Sequence, residues 1–359
     1  MQPRVRNALI FLLTLGLLGV FLRSVDVAGV WGETRRASPW PLFLALVATG
    51  VTYVLRAFRW QYLLAPIGST HFSVAFRTTV IGFAGSFLLP ARAGEVIRPY
   101  LLARREGLNA MAVFATIILE RLLDLITVLL LFAWFVLTAA PNVVSGDPEQ
   151  FARVKLGGLV AAGAALAGSA LLFVLAGHPE RLGRIALGIE RVLSTRLAHA
   201  VARFVETFAQ GLAVMRQPRR MLMALALSVP LWLAIASGIW LTSQAFHITF
   251  PFRASFLVMT LLVVGVAVPT PGAVGGFHVA YQIAAEVFFG APADRAVGAA
   301  IVLHAISFVP ITILGIYFMA REGLTLTGAR KMAEDGAKEQ APAMVPTAPV
   351  GHQAQGRVR

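Results

Sequence analysis

The sequence predicts an all-α polytopic membrane protein, with about six full spans plus two re-entrant helical hairpins in an inverted repeat. Three observations predict it. Of 359 residues, 58% are hydrophobic and 13% charged, against roughly 25% charged in a soluble domain, and the mean hydropathy is +0.76. The apolar residues gather in runs close to the roughly 20 that cross a bilayer core as a helix. The breaks in those runs recur in the same order in both halves of the chain. An ordinary soluble enzyme is excluded, and no alternating ten-residue segments suggest an outer-membrane barrel. With no cysteine, disulfides, thiolate metal sites and Cys nucleophiles are excluded too.

The first span covers about 7–23 and reads as uncleaved, because no small-x-small site follows its apolar run. The second, 39–64, is entered through Pro39 and Pro41. Segment 74–104 is apolar to Leu89 and continues as PARAGEVIRPYLLARR, broken at Pro90 and Gly94. Neither half crosses alone, and Arg77, Arg104 and Arg105 put both ends on one face, so a re-entrant hairpin is expected. Broken backbone at membrane depth needs a covering of protein or water. Span 110–140 runs outward and 156–177 returns. Segment 181–216 carries Leu182, Ile185, Ile189 and Val192 at helical spacing opposite Arg184, Arg191 and Arg203. It reads as an amphipathic helix on the cytoplasmic interface, or as a cytosolic hairpin packed beneath the spans.

The second half repeats this order. Span 221–247 runs outward, 254–289 is broken at VPTPGAVGGFH (268–278), and 295–319 returns. The expected membrane domain is 1–326, with repeats at about 39–140 and 221–320 joined by 156–177 and 181–216. Residues 327–359 read as a disordered cytoplasmic tail. Trp60, Phe72 and Phe76 match Trp240, Phe252 and Phe256 at an offset of 180, and 118–135 aligns with 302–318, pairing Glu120 with His304. An odd number of crossings between the units makes the repeat inverted, the grammar of transport folds with a midplane site.

The net charge of +14 follows topology rather than nucleic acid. With these spans, 23 Lys and Arg fall on one side and 7 on the other, with Arg121 inside a span. The positive-inside rule then places both termini in the cytoplasm of a cell that carries the protein in its cytoplasmic (inner) membrane.

A charge at the bilayer centre costs about 2.5–3.5 kcal/mol, so the polar residues within spans are the candidate site. Glu120, Arg121 and Asp124 share a face at i,i+3 and i,i+4 spacing. Their net charge of −1 calls for an outside cation, either as an ion-pair clip or as a cavity site for a head group or proton. Arg92, Glu95 and Arg98 follow the first break, where a helix N-terminus and Arg92 would cradle phosphate, unless Glu95 only neutralises the two arginines. In the second break Pro269, Pro271, Gly272, Gly275 and Gly276 permit a sharp turn, followed by His278, with His304 on the last span. Glu120 and His304 are expected near the midplane, lining one central cavity. Arg56 and Arg59 are expected to snorkel to the cytoplasmic interface. No GxxxxGK[ST], HExxH or GxSxG motif is present, so no enzyme activity, metal or cofactor is expected.

The ordered trio PARAGEVIRPYLL (90–102), LERLLDL (119–125) and PTPGAVGGF (269–277) resembles the lysylphosphatidylglycerol synthase transmembrane-region family of flippase-like membrane proteins. The resemblance covers about 5–320, without the soluble synthase domain, so lipid aminoacylation is not expected from this chain alone. It implies handling of a phospholipid or other amphipathic envelope lipid, with Arg92, Glu95, Glu120, Arg121, Asp124 and the Pro-Gly turn as functional positions. His278 and Leu303-His304 stand where relatives often carry an acidic residue and a Tyr-Arg pair. The alternatives are an ion-coupled small-solute transporter using Glu120 and His304, and a non-transporting scaffold for envelope-lipid biosynthesis. The expected partners are membrane lipids with an anionic head group, a second copy of the chain or a lipid-synthesising enzyme, and not nucleic acid.

Overall fold

The computed structural model describes residues 26–89, 92–138, 217–268 and 270–323, with scattered positions between 149 and 167. The expected span 7–23, the amphipathic segment 181–216 and the tail from 327 lie outside the described residues, as does most of 156–177. All regular structure among the described residues is helical.

Helix α1 (Val27–Arg36) occupies a stretch expected to be a loop. Asp26 caps it by accepting from the Ala28 N–H at 3.0 Å, and Glu33 accepts from Arg295 Nε at 2.9 Å. A cap and one long-range ion pair stabilise a helix too short to announce itself by periodicity. Helix α2 (Pro39–Leu64) starts at the proline that suits a first helical position and runs for 26 residues, roughly 39 Å. Helices α3 (Phe72–Leu88) and α4 (Gly94–Glu106) follow. Helix α5 (Ala110–Thr138) begins where Asn109 Oδ1 accepts from Met111 and Ala112 N–H at 2.9 and 3.1 Å.

The second set repeats the lengths: α6 (Pro218–Ala245), α7 (Ser255–Ala267), α8 (Gly276–Ile283) and α9 (Ala293–Arg321). A π-helical turn, Ala284–Phe288, extends α8 and was not expected. Four of these helices (α2, α5, α6 and α9) are long and apolar enough to cross a membrane. The expected boundaries hold to within a few residues, and the two remaining spans fall on residues not described.

Where the two hairpins were expected, short helices pack in pairs, α3 on α4 and α7 on α8. In the first, the backbones cross so closely that a Cβ on Gly94 would lie 1.7 Å from the Gly82 carbonyl oxygen. In the second, a Cβ on Gly276 would lie 2.3 Å from the Gly265 carbonyl oxygen. Only glycine permits these approaches. At the open end of the first pair, Glu106 accepts from the His71 N–H at 3.0 Å, so its two ends lie together.

The two sets pack alike. α2 and α6 share the most extensive interface, α3 lies against α9, and α7 lies against α5. A Cβ on Gly315 would stand 2.3 Å from Ala84 Cβ, which is how α9 closes on α3. Along α2, Trp40, Phe43, Val47, Val51, Val54 and Phe58 form an exposed apolar stripe, while Thr52, Arg56, Arg59 and Leu63 are buried.

Candidate functional site

Two turns of α2, the middle of α4 and the middle of α5 meet α6 at a cluster of ionised side chains. Arg98 forms a fork with Glu120, Nη1 to Oε1 at 2.9 Å and Nη2 to Oε2 at 3.1 Å. Such bidentate, charge-assisted pairs are the strongest available to a carboxylate. Arg121 donates to the same Oε1 at 3.0 Å and lies 3.5 Å from Asp124 Oδ2. Arg59 Nη1 reaches Asp124 Oδ1 at 2.7 Å and Ser228 Oγ at 2.7 Å, and Trp232 Nε1 donates to Asp124 Oδ1 at 3.0 Å. Arg56 stands 3.5 Å from Asp124 Oδ2.

Aromatic rings complete the shell. The Arg98 guanidinium sits 3.8 Å over the Trp60 ring, and Trp60 Nε1 donates to Thr116 Oγ1 at 3.0 Å. Phe83 has three guanidiniums within 6.0 Å of its centroid, those of Arg56, Arg98 and Arg121. Cation–π attraction of this kind strengthens when desolvated.

This arrangement corrects two expectations. Arg56 and Arg59 do not snorkel, since both are buried; the stripe they share with Thr52 and Leu63 faces α5 and α6. The cluster is therefore not one negative charge in excess. Four arginines surround two carboxylates, because cations come from helices that are distant in sequence. Arginine stays protonated in proteins, so the surplus is +2.

A cavity of about 140 Å³ opens beside the cluster, between the two hairpins. Its lining includes Arg92, Glu95, Arg98 and Arg121 together with Phe87, Thr270, Ala273 and Phe308. Arg121 presents 41% of its side chain, whereas Glu120 is fully buried behind it. Arg92 has φ 52 and donates to the Val266 carbonyl near the end of α7. The first break is thus tied to the last turn of α7. A residue kept in the left-handed region marks backbone that the surroundings over-determine.

The second break carries the same signature, with positive φ at Gly272, Ala273 and Gly275. The ring nitrogen Nε2 of His304 lies 2.8 Å from the Gly272 carbonyl oxygen. The rings of His278 and His304 stand 4.6 Å apart, and Phe87, Phe277 and Phe308 pack against His304. Glu120 and His304 were expected to line one cavity together, but neither is among its lining residues. Glu120 touches the lining residues Arg98 and Arg121, and His304 packs on the lining residues Phe87 and Phe308.

Of the other expected positions, Asp124 sits deep in the ion cluster and Pro271 begins a 3₁₀ turn. Gly276 serves the helix crossing, and Pro269 lies outside the described residues. Sequence reasoning missed Arg56, Arg59, Trp60, Phe83, Ser228 and Trp232. Only the helical phase of Arg56 and Arg59, opposite the apolar stripe of α2, could have signalled them.

The curated proteins include a partial relative. The chain is similar to glycosyltransferase AglD of Haloferax volcanii, 29% identical over 126 residues, which is 34% of this chain and 20% of that protein. The similarity therefore spans about a fifth of that relative's length. The family model for the lysylphosphatidylglycerol synthase TM region matches residues 7–315, the stretch that holds both hairpins, the ion cluster and the cavity between them. The chain belongs to the lysylphosphatidylglycerol synthase TM region family.

Proposed function

We propose that this protein holds lipids with anionic head groups and moves them between the leaflets of a cytoplasmic membrane, without catalysing a chemical reaction. The observation that carries the reading is the surplus of guanidinium charge, buried among helices long enough to cross a membrane and facing a cavity between two helical hairpins. A cationic site in low dielectric is costly to keep without a ligand of opposite sign. Glu120 and Asp124 hold Arg59 and Arg98 in place, while Arg121 and Arg92 face the head group. Membership of the lysylphosphatidylglycerol synthase TM region family supports lipid as the cargo.

In this reading both hairpins are re-entrant and the two sets of helices form an inverted repeat. The shared order of long, short, short and long helices, the two Gly–Gly crossings and the matching packing partners support it. Four arginines counted as loop charges, Arg56, Arg59, Arg92 and Arg98, now belong to the interior. The remaining bias is 19 against 7, 23 less these four, and still favours cytoplasmic termini. The proton-coupled solute reading loses force because Glu120 is held by Arg98 and Arg121.

Reconstitution into liposomes with a fluorescent anionic lipid, followed by quenching of the outer leaflet, tests the proposal. Purified protein is expected to speed the exchange of that lipid, and Arg121→Gln to lose most of the effect while inserting normally. Folded protein that moves no lipid, or Arg121→Gln acting as the parent does, would overturn it. The topology is tested separately by a cysteine introduced at Gln210, which should stay closed to an impermeant reagent added outside.

A further inference from the structure

The charge of the site can be set against the charge of possible head groups. Among the described residues, Arg56, Arg59, Arg92, Arg98 and Arg121 stand in or beside the cavity, against Glu95, Glu120 and Asp124. The surplus is two positive charges whether or not the cavity-lining pair Arg92 and Glu95 is included. Two buried donors on cavity-lining residues, Arg98 Nε and Arg121 Nε, have no hydrogen-bond partner among the described residues. Arg56 Nη1 and Arg59 Nη2, by contrast, stand 3.5 Å from Asp124 Oδ2 and 3.8 Å from Glu120 Oε1. Arg98, which lines the cavity, has a side chain only 3% exposed. Buried donors left unmade are costly and uncommon, so these point to an acceptor with several oxygens.

A phosphodiester brings one negative charge, and a zwitterionic head group brings none in total. A phosphate monoester brings ≈ −1.5 to −2 near pH 7 and three strongly accepting oxygens. The size of the cavity agrees. About 140 Å³ is close to an engineered cavity that admits one benzene ring. That is room for a terminal phosphate.

Building on the anionic-lipid reading above, we propose that the cavity takes a lipid that ends in a phosphate monoester, bound as the dianion. Arg121 and Arg98 receive its free oxygens. Arg92 closes on it from the first break, and the ester oxygen leads the chain out between the hairpins. Glu95, which carries no ion pair among the described residues, trims the positive field at the entrance.

The test uses the full chain in phosphatidylcholine nanodiscs, titrated with short-chain phosphatidate, short-chain phosphatidylglycerol and inorganic phosphate, with binding read by calorimetry. Phosphatidate is expected to bind at least tenfold more tightly than phosphatidylglycerol at pH 7.5. The gap should close as pH falls below about 6, where a phosphate monoester loses its second charge. Arg121→Gln should reduce the preference, and Glu95→Gln, which removes an unpaired carboxylate and leaves the ion cluster intact, should strengthen phosphatidate binding. Equal binding of the two lipids, or a preference indifferent to pH or to Glu95→Gln, overturns this proposal and leaves the anionic-lipid reading standing. Inorganic phosphate that binds as tightly as phosphatidate overturns the lipid part. Failure of both lipids to bind overturns the anionic-lipid reading itself.

Discussion

Replacing Arg59 with leucine removes a wholly buried cation of the cluster and keeps an apolar side chain in its place. Arg59 is wholly buried and holds Asp124 at 2.7 Å and Ser228 at 2.7 Å. Removing one partner of a buried pair costs about 3–5 kcal/mol, because the other charge is left uncompensated. Here Asp124 keeps Trp232 at 3.0 Å, and Arg56 and Arg121 at 3.5 Å, which places the loss near the lower end. Ser228 still donates to the Ala224 carbonyl at 2.9 Å, so losing its second bond adds at most about 1 kcal/mol. The expected destabilisation is therefore about 3–4 kcal/mol, read from reversible unfolding in mixed micelles. A double-mutant cycle of Arg59→Leu with Asp124→Asn measures the coupling between the two side chains. An arginine that snorkelled to water would lose only about 0–1 kcal/mol, as exposed pairs do. A loss below 1 kcal/mol, or strict additivity with Asp124→Asn, would refute the buried-cluster account.

Three further outcomes are expected. Gly94→Ala should destabilise by more than about 3 kcal/mol or block folding, because its Cβ would meet the Gly82 carbonyl oxygen at 1.7 Å; Gly85→Ala, whose Cβ finds Gly94 Cα at 3.3 Å, should cost about 1 kcal/mol or less. Thermal unfolding in detergent separates the two, and equal midpoints would count against the close crossing. His304→Phe keeps a ring beside Phe87 and Phe308 but loses the bond to the Gly272 carbonyl, so hydrogen exchange over 270–276 should quicken with little change at 94–106. Phe83→Leu removes the ring that three guanidiniums share and should weaken anion binding about tenfold, roughly 1.4 kcal/mol, while Phe83→Trp should retain it.

Much of the architecture was legible along the chain because it rests on local physics. Pro39 begins α2 and Asn109 caps α5. Positive φ at Gly272 and Gly275 breaks the second hairpin, and the long apolar runs identify α2, α5, α6 and α9. Each of these depends on a residue and its near neighbours. Helix α1 was missed because what anchors it, the bond between Glu33 and Arg295, spans 262 positions.

The site divides along the same line. That Glu120, Arg121 and Asp124 form a polar face on α5, and that Arg92, Glu95 and Arg98 follow the first break, is written in their spacing alone. The sign of the cluster is not. It depends on which way α2 is rotated about its axis, and packing of α2 on α6 across 169 positions, from Arg59 to Ser228, decides that. The immediate partners of Glu120 and His304 were likewise decided in three dimensions, arginines for the one and phenylalanine rings for the other. Sequence alone determined the helices, their breaks and the presence of buried charge, because backbone propensity and burial are properties of short segments. Tertiary structure decided partners, net charge and access to the cavity, because electrostatic balance belongs to groups that only folding brings together.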